Sequence, residues 1–194
     1  MTNTVRVFVS VIGALFVCWT STAAETAILG ETGSSGNYFN TANRIRAIIR
    51  TAPQDGLLDS IYVLVASVQS GAVAKGVLYD SSSMALVDST AEKELSVDGG
   101  SFHWEGFAFD HTGHIESGQT YLLGVFVGPT YAGIAREATS DSRYYVDYTY
   151  ANGVPLTLSG GTRATDQVHS IYVVYTIASG GTPVSRRRRR VAVD

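Results

Sequence analysis

The segment Asp110-His111-Thr112-Gly113-His114 has the residue types for metal coordination, since it brings one carboxylate and two imidazoles within five residues. A catalytic zinc takes three protein ligands in a fixed geometry. Asp110, His111 and His114 are therefore candidate metal ligands. Aspartate and histidine are also common polar residues in glycine-containing loops. In that interpretation, the segment is an ordinary loop that binds no metal.

Carboxylates suggest two further chemistries. A glycoside hydrolase needs two carboxyl groups about 5 to 10 Å apart across a cleft. Glu92 and Glu94 would lie about 7 Å apart on one strand face, although such pairs are also common at solvated surfaces. Glu105, Asp110 and Glu116 are the other acidic candidates. Oxygen ligands from scattered loops suit calcium, and the aspartates at predicted turns or strand ends are Asp80, Asp88, Asp98, Asp141 and Asp147.

Aromatic side chains are the more informative feature, because a flat ring at a surface can stack on a sugar while its polar edge stays wet. The candidate binding residues are Tyr131, Tyr144, Tyr145, Tyr148 and Tyr150. Alternation along a strand places Tyr144, Tyr148 and Tyr150 on one face and Tyr145 on the other. One of these faces is therefore expected to form a glycan or partner surface, with core packing as the alternative.

Three other residues of interest lie within predicted strands. Trp104 alternates with Phe102 and Gly106, and we expect it to lie in the core. His103 and His169 are expected to be exposed strand residues or hydrogen-bonded single histidines.

The elements that must position these residues are strands. Period-two alternation dominates residues 25–177, and no window keeps a helical period over three turns. Ile61, Val63 and Val65 would face inwards while Ser60 and Tyr62 face outwards. About ten strands without crossover helices exclude a parallel sheet. The prediction is an all-β fold, an antiparallel β-sandwich of jelly-roll type, with a closed barrel as the alternative.

Turn residues predict two strand pairs. Residues 76–80 and 84–88 would pair across Ser81-Ser82-Ser83. Residues 92–97 and 101–109 flank Asp98-Gly99-Gly100, which suits a hairpin connection. The apolar residues 119–128 are predicted to form a central strand.

The order of features resembles a jelly-roll module of secreted bacterial proteins and of phage or virus-like structural proteins. The segments that carry this resemblance are residues 28–31, 61–63, 74–80, 117–124 and 170–176, within residues 26–177. The module is similar in architecture to carbohydrate-binding and adhesion modules. The resemblance implies a non-catalytic protein with a binding or structural role.

The two ends of the chain differ from its body. Residues 1–24 have the pattern of a cleaved secretory signal, with Arg6 before an apolar run and small residues up to Ala24; a retained anchor and lipidation at Cys18 are the alternatives. Residues 178–194 have the composition of a flexible linker followed by a run of arginines. The candidate polyanion-docking residues are Arg186, Arg187, Arg188, Arg189 and Arg190.

The charge of −3 for the whole chain averages two unlike parts. Residues 25–177 hold 16 acidic and 8 basic side chains, a net charge of −8. Without the signal the chain has no cysteine, which excludes disulfides, cysteine-ligated zinc and a cysteine nucleophile.

Three functions remain open. The leading hypothesis is a secreted or cell-surface binding or adhesion module, not an enzyme, which contacts a glycan or protein through surface tyrosines. The alternative is a self-associating subunit of an extracellular filament, surface layer or virion. A glycan hydrolase is the least favoured. No cofactor is predicted beyond a structural calcium ion, and no membrane span once the signal is removed.

Overall fold

The computed structural model describes residues 24–33, 36–110, 113–138 and 140–177. The predicted signal up to residue 23, with Cys18, and the tail from residue 178, with its arginine run, lie outside these residues. Two antiparallel β-sheets pack against each other, and the described residues form no α-helix. The all-β class and the sandwich are therefore confirmed, whereas the jelly-roll connectivity stays a prediction.

Sheet A has eight strands: β1 (Thr26–Gly30), β2 (Asn37–Thr41), β4 (Gly56–Ala66), β8 (His103–Ala108), β9 (His114–Ile115), β11 (Ala132–Ala138), β14 (Gln167–His169) and β15 (Ile171–Ile177). Sheet B has seven: β3 (Arg44–Thr51), β5 (Val73–Asp80), β6 (Leu86–Ser89), β7 (Lys93–Glu94), β10 (Thr120–Val127), β12 (Arg143–Asp147) and β13 (Thr162–Ala164). The sequence predicted about ten strands, and several of the additional ones are only two or three residues long. None of the helices in the described part is long and apolar enough to cross a membrane.

The order in sheet A is β1-β15-β4-β11-β14, with β8 and β9 also paired to β4 and β2 paired to β11. The order in sheet B is β13-β12-β3-β10-β5-β6, with β7 paired to β5. Strand β10 lies between β3 and β5, which confirms the predicted central strand.

The main core lies between the two sheets. Ile61, Val63 and Val65 of β4 are fully buried there, as the alternation predicted, and they belong to one apolar cluster with Leu123 and Val125 of β10. Each such side chain contributes about 1.5 to 3 kcal/mol through its removal from water.

A second core covers the outer face of sheet B. Residues 148–161, which include a 3₁₀ turn at Tyr150–Asn152, lie across that face and bury Leu158. The Tyr79 hydroxyl donates to the Pro155 carbonyl over 2.9 Å and ties this segment to β5. Tyr144 belongs to the same apolar cluster. Sheet B is therefore buried on both faces.

One predicted hairpin is confirmed and the other is wrong. Strands β5 and β6 pair across the serine turn. In contrast, β7 pairs with β5 in sheet B and β8 with β4 in sheet A. Gly99 and Gly100 adopt positive φ angles of 64° and 101°, which glycine tolerates best. The glycines mark a chain reversal, but the reversal leads from one sheet to the other.

A pair of matched substitutions tests the assignment of the main core. Leu123 is fully buried, whereas Leu156 is 79% exposed. We expect Leu123→Ala to lower the free energy of unfolding by about 2 to 5 kcal/mol, and Leu156→Ala to change it by less than about 0.5 kcal/mol. Urea unfolding measures both, and equal losses in the two variants would contradict the assignment.

Candidate functional site

The outer face of sheet A carries most of the large hydrophobic side chains that are exposed in the described residues. Seven large hydrophobic side chains of the described residues are exposed, and five of them point outwards from this sheet or continue one of its strands. These five are Ile28, Tyr38, Leu57, Phe102 and Trp104. The other two, Val97 and Leu156, lie in loops. Exposed apolar groups that gather on one face indicate a contact surface.

Tyr62, Trp104 and Tyr172 form a cluster of touching rings on this face, which we call the aromatic platform. The rings of Tyr62 and Tyr172 are stacked, with centroids 4.9 Å apart and planes inclined by 13°. Trp104 meets Tyr172 edge-on at 4.9 Å between centroids. Trp104 is 36% exposed, so the prediction that it lies in the core is wrong.

Glycines on the neighbouring strands leave room for the two tyrosines. Tyr62 lies opposite Gly106 of β8 and Tyr172 opposite Gly30 of β1. A Cβ atom at Gly106 would come within 2.7 Å of the Tyr62 ring, and one at Gly30 within 2.4 Å of the Tyr172 Cα atom. The two tyrosine rings therefore stack in space that a side chain at Gly106 would partly occupy.

A second pair of rings extends the exposed surface. Tyr38 of β2 meets Phe102 edge-on, with centroids 6.1 Å apart. The Ser67 hydroxyl donates to the Tyr38 hydroxyl over 2.9 Å. Gly133 lies beside the Tyr38 ring, which a Cβ atom there would approach to 2.5 Å. A glycine therefore lies beside an aromatic ring at a second place on the same face.

The outward positions of sheet A carry little charge. Among its described strands, Asp59 and Glu137 are the acidic residues at such positions, and no lysine or arginine occupies one. The Thr176 hydroxyl donates to Asp59 over 2.8 Å. This face is therefore nearly uncharged, although residues 25–177 as a whole have a net charge of −8.

The tyrosines predicted to bind lie elsewhere. Tyr144 and Tyr150 are buried in the second core, so the prediction that they form a surface is wrong. Tyr148 is half-buried and meets Phe126 at 5.9 Å between centroids. Tyr131 is half-buried just before β11. None of them belongs to the aromatic platform.

Tyr145 belongs instead to a cationic cluster between the sheets at one edge of the sandwich. The guanidinium groups of Arg44 and Arg143 lie 5.7 and 5.3 Å from the centre of its ring. The nearby Phe39 ring has Arg136 at 4.1 Å and Arg46 at 4.5 Å. Such contacts stabilise a cation through the electron-rich face of the ring.

Arg46 is the most buried member of this cluster, with 3% of its surface exposed. Its Nε atom donates to the Thr41 hydroxyl over 2.6 Å. Burial, followed by the repulsion of Arg44 and Arg143, lowers the pKa of Arg46 to about 10. The guanidinium still carries its charge at neutral pH, so the cluster holds a cation inside the sandwich.

His169 lies against the same cluster and is fully buried, so of the two expectations for it, that of an exposed strand residue is wrong. Its ring meets Phe39 at 6.0 Å between centroids. Burial, together with the charges of Arg46, Arg143 and Arg136, lowers the pKa of His169 to about 3. The imidazole is therefore neutral under physiological conditions.

The structure describes two of the three candidate metal ligands, Asp110 and His114. Asp110 lies near Asp88, His114 is exposed on β9, and His111 lies outside the described residues. Within the described ranges, no three His, Cys, Asp or Glu side chains are placed to hold a metal ion.

Most of the aspartates considered for calcium interact with the protein's own donors. Ser82 and Ser83 donate to Asp80 and lower its pKa to about 2, the Ser82 hydroxyl contributing most. Arg50 lies 2.7 Å from Asp141, and Arg44 forms an ion pair with Asp147. Burial chiefly, and then the charge of Asp110, raise the pKa of Asp88.

The carboxylates considered for hydrolysis are also dispersed. Glu92 precedes β7 and faces Lys75 at 4.0 Å, whereas Glu105 is buried on the inner side of β8. A shallow polar pocket of about 450 Å³ contains Glu116, with Asp80 and His114 also in its lining.

Neither a protein-family model nor a curated protein matches this chain.

The burial of His169 predicts how stability depends on pH. Because folding lowers its pKa from 6.5 to about 3, the folded state binds fewer protons than the unfolded state, and stability falls as the pH drops below 6.5. We expect His169→Gln to make this decline shallower by up to about 1.4 kcal/mol per pH unit. Urea unfolding between pH 7 and about 4 measures the slope.

The matched control is His114→Gln, since His114 is exposed. This variant should keep the wild-type slope. Equal slopes in the wild type and in His169→Gln would show that His169 is not the group responsible.

Proposed function

We propose that the protein is a secreted, non-enzymatic β-sandwich module that binds a neutral glycan on the aromatic platform. The observation that carries this proposal is the cluster of touching rings on a nearly uncharged sheet face, in which Trp104 is exposed and Tyr62 and Tyr172 are half-buried. The resemblance to a jelly-roll module whose architecture is similar to that of carbohydrate-binding and adhesion modules supports it, although the binding residues proposed here differ from those predicted from the sequence.

The chemistry of a sugar matches this surface. Aromatic rings combine an apolar face with, in tyrosine and tryptophan, a polar group that hydrogen-bonds. The C–H groups of a pyranose can pack on exposed ring surface, and its hydroxyl groups can bond to the Tyr62 and Tyr172 hydroxyls. Ser60, on the strand that carries Tyr62, adds a further hydroxyl to the sheet.

The charge distribution favours a neutral glycan over an acidic one. No lysine or arginine of the described strands points outwards from sheet A, so an acidic sugar would find no cation there. The arginines of the described sandwich that could serve this purpose lie largely between the sheets, around Phe39. Asp59 would also repel a carboxylate or a sulfate.

A structural subunit is the second candidate function. Ile28 is 58% exposed on β1, which lies at the end of the strand order in sheet A, and Leu57 is 37% exposed on β4. Both extend the apolar surface beyond the rings. A second copy that covered this face would remove them from water, as expected for a subunit of an extracellular filament, a surface layer or a virion.

The test of glycan binding is affinity electrophoresis of the full chain through gels that contain neutral polysaccharides. We expect at least one neutral polysaccharide to retard the wild type. Trp104→Ala or Tyr172→Ala should weaken binding about thirtyfold, the effect of truncating a central aromatic contact by about 2 kcal/mol. Leu156→Ala, on the segment that covers sheet B, should bind like the wild type.

Two outcomes would contradict glycan binding. One is the absence of retardation by every neutral polysaccharide, and the other is equal retardation of the wild type and Trp104→Ala. Sedimentation velocity over a range of concentrations tests the second candidate. Self-association that Trp104→Ala and Ile28→Ser abolish would favour the structural subunit, whereas a monomer at all concentrations would exclude it.

A further inference from the structure

The described part of the chain ends with β15, and acidic residues lie around that end. The Thr176 hydroxyl donates to Asp59 over 2.8 Å. The Ile177 amide donates to the backbone carbonyl of Glu25 over 2.8 Å. Asp55 directly precedes the residue of β4 that pairs with Ile177. The chain therefore leaves the sandwich at a place of negative charge.

Basic residues are missing from the strands that build and flank the aromatic platform. Strands β1, β4, β8, β9 and β15 contain no lysine or arginine. Asp59 lies on β4 three residues before Tyr62, and its partner Thr176 lies on β15 four residues after Tyr172. A cation that approaches this part of the outer face meets aromatic rings and a carboxylate, and no cation of these strands repels it.

The sequence that follows Ile177 contains cations suited to such a surface. Eight residues, 178–185, separate Ile177 from the five arginines of residues 186–190, which we call the arginine run. A guanidinium group is planar, stacks on aromatic rings and pairs with a carboxylate through two N–H groups. The run has five positive charges, whereas residues 25–177 have a net charge of −8. The two parts are therefore complementary in charge and in the contacts that they can form.

The intervening segment is long enough for the arginine run to reach the platform. Tyr172 lies five residues before Ile177, which corresponds to about 17 Å along a strand. Eight residues span at most about 26 to 29 Å when fully extended. Gly180, Gly181 and Pro183 are of the types that favour chain reversals. A chain that turns back along β15 can therefore bring the run over Asp59 and Tyr172.

The sandwich already uses the contact that this docking requires. The guanidinium groups of Arg136 and Arg46 lie 4.1 and 4.5 Å from the centre of the Phe39 ring. On the outer face of sheet A, Trp104 is 36% exposed and Tyr172 is half-buried. Tryptophan is the aromatic residue that attracts a cation most strongly. The platform therefore offers outside the sandwich the kind of surface on which arginines pack inside it.

We propose that the arginine run docks on the outer face of sheet A, against the aromatic platform and Asp59, and competes there with the glycan. Ligand binding then requires that the chain's own arginines leave this face. The competition rests on the proposed function of the platform, whereas the docking does not.

Paramagnetic broadening in NMR spectra of the full chain tests the docking. Ser185→Cys, in a chain that also carries Cys18→Ser, has a single thiol directly before the arginine run. A nitroxide attached to this thiol broadens the signals of nearby hydrogen atoms. The same sample after reduction of the nitroxide gives the reference intensities.

The position of the broadened signals distinguishes a docked run from an undocked one. We expect the Trp104 indole N–H and the Tyr172 amide to broaden more than the amide of Gly56, which pairs with Ile177. An undocked run stays nearest its attachment point and broadens Gly56 most. That result would overturn the proposal. So would equal broadening when the nitroxide is on an unlabelled second copy, since the run would then dock between copies.

Charge variants identify the contacts of the run. Arg186→Gln, Arg187→Gln, Arg188→Gln, Arg189→Gln and Arg190→Gln are combined in one chain, the neutral-run variant. In this variant the Trp104 signal should broaden less than the Gly56 signal. Asp59→Asn should weaken the broadening of Trp104 as well. Its matched control is Glu137→Gln, which removes the other outward carboxylate of sheet A and should behave like the wild type. Wild-type broadening of Trp104 in the neutral-run variant would overturn the proposal.

Retention by a neutral polysaccharide tests the competition. The neutral-run variant should bind about tenfold more tightly than the wild type, the effect of uncovering a face that is covered nine-tenths of the time. Mobilities are divided by those in gels without polysaccharide, because the substitutions change the net charge. Equal affinity of the two chains, with a docked run in the wild type, overturns the competition. Absence of retention for both chains contradicts the proposed function, while the broadening still decides whether the run docks.

Discussion

A sandwich has two outer faces, and the described chain covers one of them. Residues 148–161 lie across sheet B and build a second apolar core there, tied to β5 by the bond between Tyr79 and Pro155. The outer face of sheet A keeps exposed rings, among which Trp104 is 36% exposed. This asymmetry determines which aromatic residues stabilise the fold and which remain available to a partner.

The positions of the arginines agree with this difference between the two outer faces. Arginines are drawn into the sandwich, where Arg46 and Arg136 stack on Phe39, while the outward strand positions of sheet A carry no basic side chain in the described residues. Contacts with rings offset part of the free-energy cost of removing these arginines from water. The ion pairs of Arg143 with Asp166 and of Arg44 with Asp147 contribute in the same way. Under the proposal of glycan binding, a nearly neutral aromatic face on an acidic body selects partners by shape and stacking more than by charge.

The strand pattern could be predicted from sequence, but the role of each face could not. Alternation correctly placed Tyr62 outwards and correctly grouped Tyr144 with its neighbours. Alternation does not reveal whether a face meets solvent or a second core, because that depends on where a distant segment packs. The glycine turn at residues 98–100 likewise marked a reversal without revealing that its flanking strands join different sheets. One sequence feature could have indicated the aromatic platform, namely Gly106, two residues after Trp104. Gly106 lies opposite Tyr62, and its missing side chain leaves space for the tyrosine ring.

The claim that ligand binding belongs to the open face of sheet A is tested most directly by NMR. The full chain would be titrated with a neutral oligosaccharide cut from the polysaccharide that retards it most. We expect the largest shifts at Tyr62, Trp104 and Tyr172, with saturable changes at the Trp104 indole N–H. Shifts centred on the polar pocket around Glu116 and Gln119, with none on the aromatic platform, would contradict it.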